Sequence, residues 1–186
     1  LLLFHGETNF TQLYGLNCSG KTTLGYVISR TTKGVFVNVS ATTTGAAELK
    51  RLAEEARDRR AFHGQRTILF VDEIQRLNKA QQDVLLPAVE KGDLILIGAT
   101  TENPYFEVNA ALLSRSQIYQ LQPLEEEHLL TLARRALEDP RGLGDVPCQV
   151  SQEALRHLAR IANGDARVLL NNLEFAVLTT LPNDAG

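Results

Sequence analysis

Near the start of the chain, Gly15-Leu16-Asn17-Cys18-Ser19-Gly20-Lys21-Thr22 fits the spacing G-x-x-x-x-G-K-[ST]. The chemistry requires this spacing. The glycines let the backbone curl until successive N–H groups face one phosphate, at the positive end of the helix that follows. Lys21 would reach the β- and γ-phosphates, the Thr22 hydroxyl would ligate Mg²⁺, and Thr23 would carry the cradle into the helix. A Gly/Ser turn that happens to carry a lysine is the plain alternative. A strand over residues 10–14 and a helix starting at residues 23–28 give the strand–loop–helix context that the motif demands.

A second group lies about fifty residues further on, where the apolar run Ile68-Leu69-Phe70-Val71 ends in Asp72-Glu73. Carboxylates at the carboxyl edge of a parallel sheet stand where such sheets bind ligands. Asp72 would hold Mg²⁺, directly or through water, and Glu73 would orient and deprotonate an attacking water. Acids also commonly begin loops, so the pair gains its meaning from the phosphate loop before it. The second acid points to a hydrolase, because kinases and simple nucleotide binders need no water-activating group there.

These residues need a frame. Short, nearly continuous apolar runs at 35–39, 67–71, 94–98 and, more weakly, 117–121 are rich in β-branched residues. Strands covered on both faces by helices have this character. Between them, residues 48–62 place Leu49, Leu52, Ala53 and Ala56 on one helical face, and residues 79–89 do so with Val84, Leu85 and Ala88. Strands alternating with helices predict crossovers and a mainly parallel sheet. After Pro123 the pattern changes to helices alone, at 124–137, 151–162 and 166–178. Ser151 and Asp165 are the expected N-caps, Gly164 the expected stop, and residues 138–150 a loop by their Pro and Gly content.

Composition sets outer bounds. The 186 residues are 44% apolar and 22% charged, with 19 Lys+Arg against 22 Asp+Glu, a formal charge of −3. That balance argues against a basic nucleic-acid coat, though not against a local patch. Cys18 and Cys148 are far apart, which signals neither a disulfide framework nor a zinc site and favours a reducing, intracellular compartment. Apolar runs are too short for a membrane span, and residues 1–4 lack the basic flank of a signal peptide. The absence of methionine, at position 1 as elsewhere, makes a fragment the expectation.

Four strings then carry a resemblance. They are Asp72-Glu73-Ile74-Gln75-Arg76-Leu77-Asn78-Lys79-Ala80-Gln81-Gln82-Asp83, Leu96-Ile97-Gly98-Ala99-Thr100-Thr101-Glu102-Asn103-Pro104, Ala111-Leu112-Leu113-Ser114-Arg115 and Asn163-Gly164-Asp165-Ala166-Arg167. Together they resemble one AAA+ ATPase group, the RarA/MgsA group (replication-associated recombination protein A), related to the eukaryotic Werner-helicase-interacting ATPase. The similarity runs from about residue 15 to 178. It implies an α/β phosphate-loop (P-loop) NTPase core of AAA+ type, with a mainly parallel five-stranded sheet over residues 1–122, followed by a small all-α lid over 123–186.

The resemblance also implies roles. Thr101 looks like the sensor-1 residue beside the acids, although a strand-terminal threonine fits the spacing as well. Arg115 looks like the arginine finger that completes a neighbouring subunit's site; its alternative is a surface arginine. Arg167, in the first turn of a helix whose dipole it opposes, looks like the sensor-2 residue of the lid. Arg76 and Lys79 fit a solvated helix face better than a DNA or subunit contact. The group's phosphate loop usually reads GPPGTGKT, whereas here Leu16, Asn17 and Cys18 stand in place of Pro, Pro and Gly.

The leading reading is thus an ATP- and Mg²⁺-using, DNA-dependent ATPase of replication-fork maintenance and recombination. It would act as a homo-oligomer in the cytoplasm, at the nucleoid if the source is bacterial. By resemblance its partners are forked or junction DNA, single-strand-binding protein and replisome components. The altered loop motivates a rival, a clamp-loader-like scaffold or switch that binds nucleotide and barely hydrolyses it. A phosphate-loop kinase is the further alternative, distinguished by an acceptor other than water.

Overall fold

The computed structural model describes residues 9–15 and 20–180. They form two compact units, 9–15 with 20–121, and 122–180. The first unit runs β1 (Phe10–Gly15), α1 (Lys21–Thr31), β2 (Val35–Ser40), α2 (Ala46–His63), β3 (Thr67–Asp72), a one-turn 3₁₀ segment (Ile74–Arg76), α3 (Lys79–Glu90), β4 (Leu94–Thr100), α4 (Pro104–Glu107), α5 (Ala110–Leu113) and β5 (Ser116–Leu121). The five strands lie in the order β2-β3-β4-β1-β5, and every neighbouring pair is parallel. The expected parallel five-stranded α/β core is what forms.

The period of two along each strand divides the core. Ile68, Phe70, Ile95, Ile97 and Leu13 meet Ile28 of α1 on one face. Leu69, Val71, Leu94 and Leu96 meet Leu49, Leu52 and Ala56 of α2 and Leu85 and Val89 of α3 on the other. Strands covered on both sides have no polar face, which is why β3 and β4 are nearly apolar without alternation.

An amide side chain breaks that rule. Gln12 of β1 is fully buried, and neither its amide nitrogen nor its amide oxygen finds a partner among the described residues. The side chain fits only because the facing position is Gly98: a Cβ there would lie 2.4 Å from Gln12 Oε1 and 2.8 Å from the Ile74 side chain. A buried, unpaired amide costs about 1–3 kcal/mol. Gln12→Leu is therefore expected to stabilise the protein by a comparable amount, raising Tm by several degrees at ~2–4 °C per kcal/mol. Thermal unfolding of the two proteins measures this, and an unchanged or lower Tm counts against it.

The second unit consists of α6 (Glu126–Glu138), α7 (Gln152–Ala162) and α8 (Ala166–Thr179). Leu129, Leu130 and Ala133 pack with Leu155, Ala159, Leu169 and Leu173 in its core. Both expected caps form. The Ser151 hydroxyl accepts from Ala154 N–H at 3.1 Å, and the Asp165 carboxylate accepts from Arg167 and Val168 N–H at 2.8 and 3.0 Å. The helix stop is shared: Asn163 already takes the left-handed conformation (φ 46°), and Gly164 follows it there (φ 85°). In the connection after α6, Arg141 grips Asp139 through two hydrogen bonds of 2.6 and 3.0 Å and holds its carboxyl well below the usual range.

Candidate functional site

Three adjacent strands end on one edge of the first unit. Val71 of β3 pairs with Gly98 of β4, and Thr100 of β4 pairs with Tyr14 of β1. Asp72, Thr100 and Gly15 consequently finish along the carboxyl edge, where parallel sheets bind ligands.

Gly20, Lys21 and Thr22 flank this edge. Gly20 stands at φ 92°, a left-handed conformation that glycine adopts without strain, and from it α1 starts at Lys21. Leu16, Asn17, Cys18 and Ser19 lie outside the described residues. Lys21 is only 7% exposed, and its ammonium donates to the Gly15 carbonyl at 2.9 Å, so the lysine tip lies at the end of β1. Thr23 is exposed in the first turn of α1.

Thr22 makes the link that matters. Its hydroxyl donates to Asp72 Oδ2 at 3.1 Å across fifty positions of sequence. Asp72 Oδ1 accepts from the Glu73 N–H at 3.2 Å. A hydroxyl and a carboxylate side by side are hard oxygen donors of the kind Mg²⁺ takes, so Thr22 and Asp72 are the residues that would hold such an ion. Among the described residues no group of three or more His, Cys, Asp or Glu could hold a metal.

Glu73 is one of two non-glycine residues at positive φ among those described, at φ 57° and ψ 45°. Such a conformation costs of order 1–3 kcal/mol and persists only where neighbours enforce it. The Asp72 carboxylate takes its N–H, and its carbonyl accepts from Arg76 N–H at 2.8 Å. Its carboxylate Oε2 accepts from Gln75 Nε2 at 2.6 Å.

Thr101 follows the end of β4 and is half-buried, next to the wholly buried Thr100, whose hydroxyl accepts from Glu102 N–H at 3.0 Å. Beyond it the chain is braced against α3. Gln82, fully buried, donates to the Leu77 and Glu107 carbonyls at 3.0 and 3.2 Å and accepts from Asn109 N–H at 2.7 Å. Lys79 donates to the Glu107 carbonyl at 3.0 Å, and Asp83 accepts from the Asn109 amide. Asn78 and Gln81 close a capping box that starts α3. The NKAQQD string is thus a brace for the segment between Thr101 and Arg115. Gln75, Gln82 and Asn109 were not singled out from the sequence, because an amide's partner leaves no periodic trace.

Arg115 stands apart from the other candidates. It directly precedes β5, whose first residue Ser116 pairs with Phe10 at the start of β1. It therefore belongs to the opposite edge of the sheet from Gly15, about six residues or roughly 20 Å away. There it binds Glu90 at 2.9 Å, the Ala111 carbonyl at 2.9 Å and the Ser114 hydroxyl at 3.1 Å. Arg167 is exposed in the first turn of α8, in the second unit.

A parallel sheet of this order, with Gly20-Lys21-Thr22 turning beside an acid pair at its carboxyl edge, defines a phosphate-loop NTPase fold. The same fold is found in Thermotoga maritima RuvB, the Holliday junction branch migration motor (TM-score 0.70, 24% identity, 89% of this chain and 53% of that one). Residues 11–124 match the family model of the ATPase family associated with various cellular activities (AAA), and the chain belongs to that family.

Within it, the chain is similar to ATPase WRNIP1 of Dictyostelium discoideum, 47% identical over 165 residues. It is also similar to replication-associated recombination protein A of Escherichia coli K12, 45% identical over 182 residues. These matches cover 89% and 97% of the chain but only 19% and 40% of the relatives, so the chain spans two-fifths or less of their length. The likeness carried by the four sequence strings is borne out. No helix among the described residues is long and apolar enough to cross a membrane.

Proposed function

We propose that the chain is the ATP-hydrolysing part of a DNA-dependent ATPase of replication and recombination, working at the interfaces of a homo-oligomer. The observation that carries this reading is the Thr22–Asp72 contact with Glu73 beside it. It brings a phosphate-loop hydroxyl, a candidate metal ligand and a candidate base to one edge. Backbone amides of residues 15–20 and the Lys21 ammonium would hold the triphosphate, while Thr22 and Asp72 would hold Mg²⁺. When bound, that ion neutralises charge on the β- and γ-phosphates. Glu73 would take the proton from the attacking water, and Thr101 would orient that water. In this reading residues 123–186 act as the lid, with Arg167 reaching for the γ-phosphate.

The dependence on DNA is supported by the words replication and recombination in the relative's name, and single-strand-binding protein and replisome components as partners are implied by the family resemblance alone. Steady-state ATP turnover of the intact protein, with and without single-stranded, duplex and forked DNA, tests it. The expected result is turnover that rises with at least one DNA. Equal turnover with all of them removes the DNA dependence. Micromolar ATP binding with no turnover under any condition replaces the motor with the scaffold, the reading that the Leu16-Asn17-Cys18 replacement favours.

A further inference from the structure

Glu73 is held at both ends. Its backbone is fixed in a left-handed conformation by Asp72 and Arg76, and its carboxylate is met by a side chain two positions on. That side chain, Gln75, donates from Nε2 to Glu73 Oε2 at 2.6 Å. Its own Oε1 is buried and finds no donor among the described residues. An amide can be turned over to exchange its two ends, and a purely structural glutamine would settle where both ends are matched. Here the turned-over form would set two oxygens against each other at the Glu73 carboxylate. The N–H end is therefore committed to Glu73, while the other end stays unmatched in the interior.

We infer that Gln75 is a positioning residue for Glu73: it fixes one carboxylate oxygen, leaving the other to accept the proton of the attacking water. The inference rests on the reading of Glu73 as the base and adds what holds that base in place. A glutamate side chain has several rotatable bonds, and an unheld carboxylate spends most of its time misdirected. Misplacement of a catalytic group by about 1 Å is enough to lower a rate ~10²-fold. Gln75 stands in the 3₁₀ turn after β3, not among the phosphate-loop residues, so its removal acts on the chemical step rather than on nucleotide binding.

The test uses Gln75→Leu, which keeps the bulk, and Gln75→Glu, which keeps the shape but cannot donate when ionised. Each is made in the intact protein, alone and together with Glu73→Gln. Both single variants are expected to lower kcat by about 10- to 100-fold while leaving KM for ATP near the wild-type value. Gln75→Leu also removes the unmatched oxygen, so its Tm should hold or rise while its kcat falls. A merely structural glutamine would show the reverse. In the Glu73→Gln background, Gln75→Leu should add almost no further loss, because the group it positions is gone.

Wild-type kcat in Gln75→Leu beside an inactive Glu73→Gln would overturn the positioning role and leave the base intact. A loss that multiplies in the double variant would also overturn it. Wild-type turnover in Glu73→Gln would instead remove the base itself, a separate failure.

Discussion

Glu73→Gln is expected to leave ATP bound and almost unhydrolysed. Glutamine has the size of glutamate and can still accept from the Gln75 amide through its oxygen, so the turn after β3 keeps its shape. Lys21, Thr22 and Asp72, the residues assigned to phosphate and metal, are untouched. The amide cannot take a proton from water, and a positioned general base is worth about 10²–10⁴ in rate. That corresponds to roughly 3–5 kcal/mol of activation free energy. Measured turnover should fall by that factor, while the Kd for a fluorescent ATP analogue stays near the wild-type value. Turnover at the wild-type rate removes Glu73 from the chemistry. A large rise in Kd would instead make Glu73 a binding residue.

The strands that carry this site were legible because burial on both faces leaves so little choice of residue. The runs at 67–71 and 94–98 are almost wholly apolar, and the observed strands extend them by one and two residues to Asp72 and Thr100. The long helices were legible from their period, and Ser151 and Asp165 from capping chemistry. What the sequence did not disclose has physical causes. α4 and α5 are four residues each, too short for a helical period to register. Gln12 sits in the core against the rule that strands covered on both sides are apolar, and only the glycine opposite lets it fit. Gln75, Gln82 and Asn109 act through side-chain amides whose partners lie two to twenty-seven positions away. Hydrogen bonds of this kind follow from the folded path and not from local residue types. The first of the strings recognised as a family signature therefore carries two kinds of residue: Asp72 and Glu73, the proposed metal ligand and base, and Gln82 and Asp83, which bind Asn109 and so hold the segment leading to Arg115.

Arg115→Ala is expected to have the other large effect, and the sheet supplies the reason. Because all five strands are parallel, the residue before β5 and the residues after β3 lie on opposite edges, roughly 20 Å apart. An extended arginine side chain does not span that gap, so Arg115 cannot stabilise the transition state in its own subunit's site. As the proposed finger it would act on a neighbouring subunit's nucleotide, where such an arginine is worth ~10³–10⁵ in rate in related phosphoryl-transfer systems. Turnover of Arg115→Ala should fall by a factor of that order, with ATP binding spared. Stability should change little, since the Glu90 partner is a surface ion pair with side chains 49% and 42% exposed, worth about 0–1 kcal/mol. Mixing decides the matter. Arg115→Ala subunits keep Glu73, and Glu73→Gln subunits keep Arg115, so in the proposed homo-oligomer a mixture of the two would contain interfaces where both intact groups meet. Each variant alone should be nearly inactive, and the mixture should recover part of the wild-type turnover. A mixture that exchanges subunits and remains as inactive as its components would place Arg115 outside the shared site.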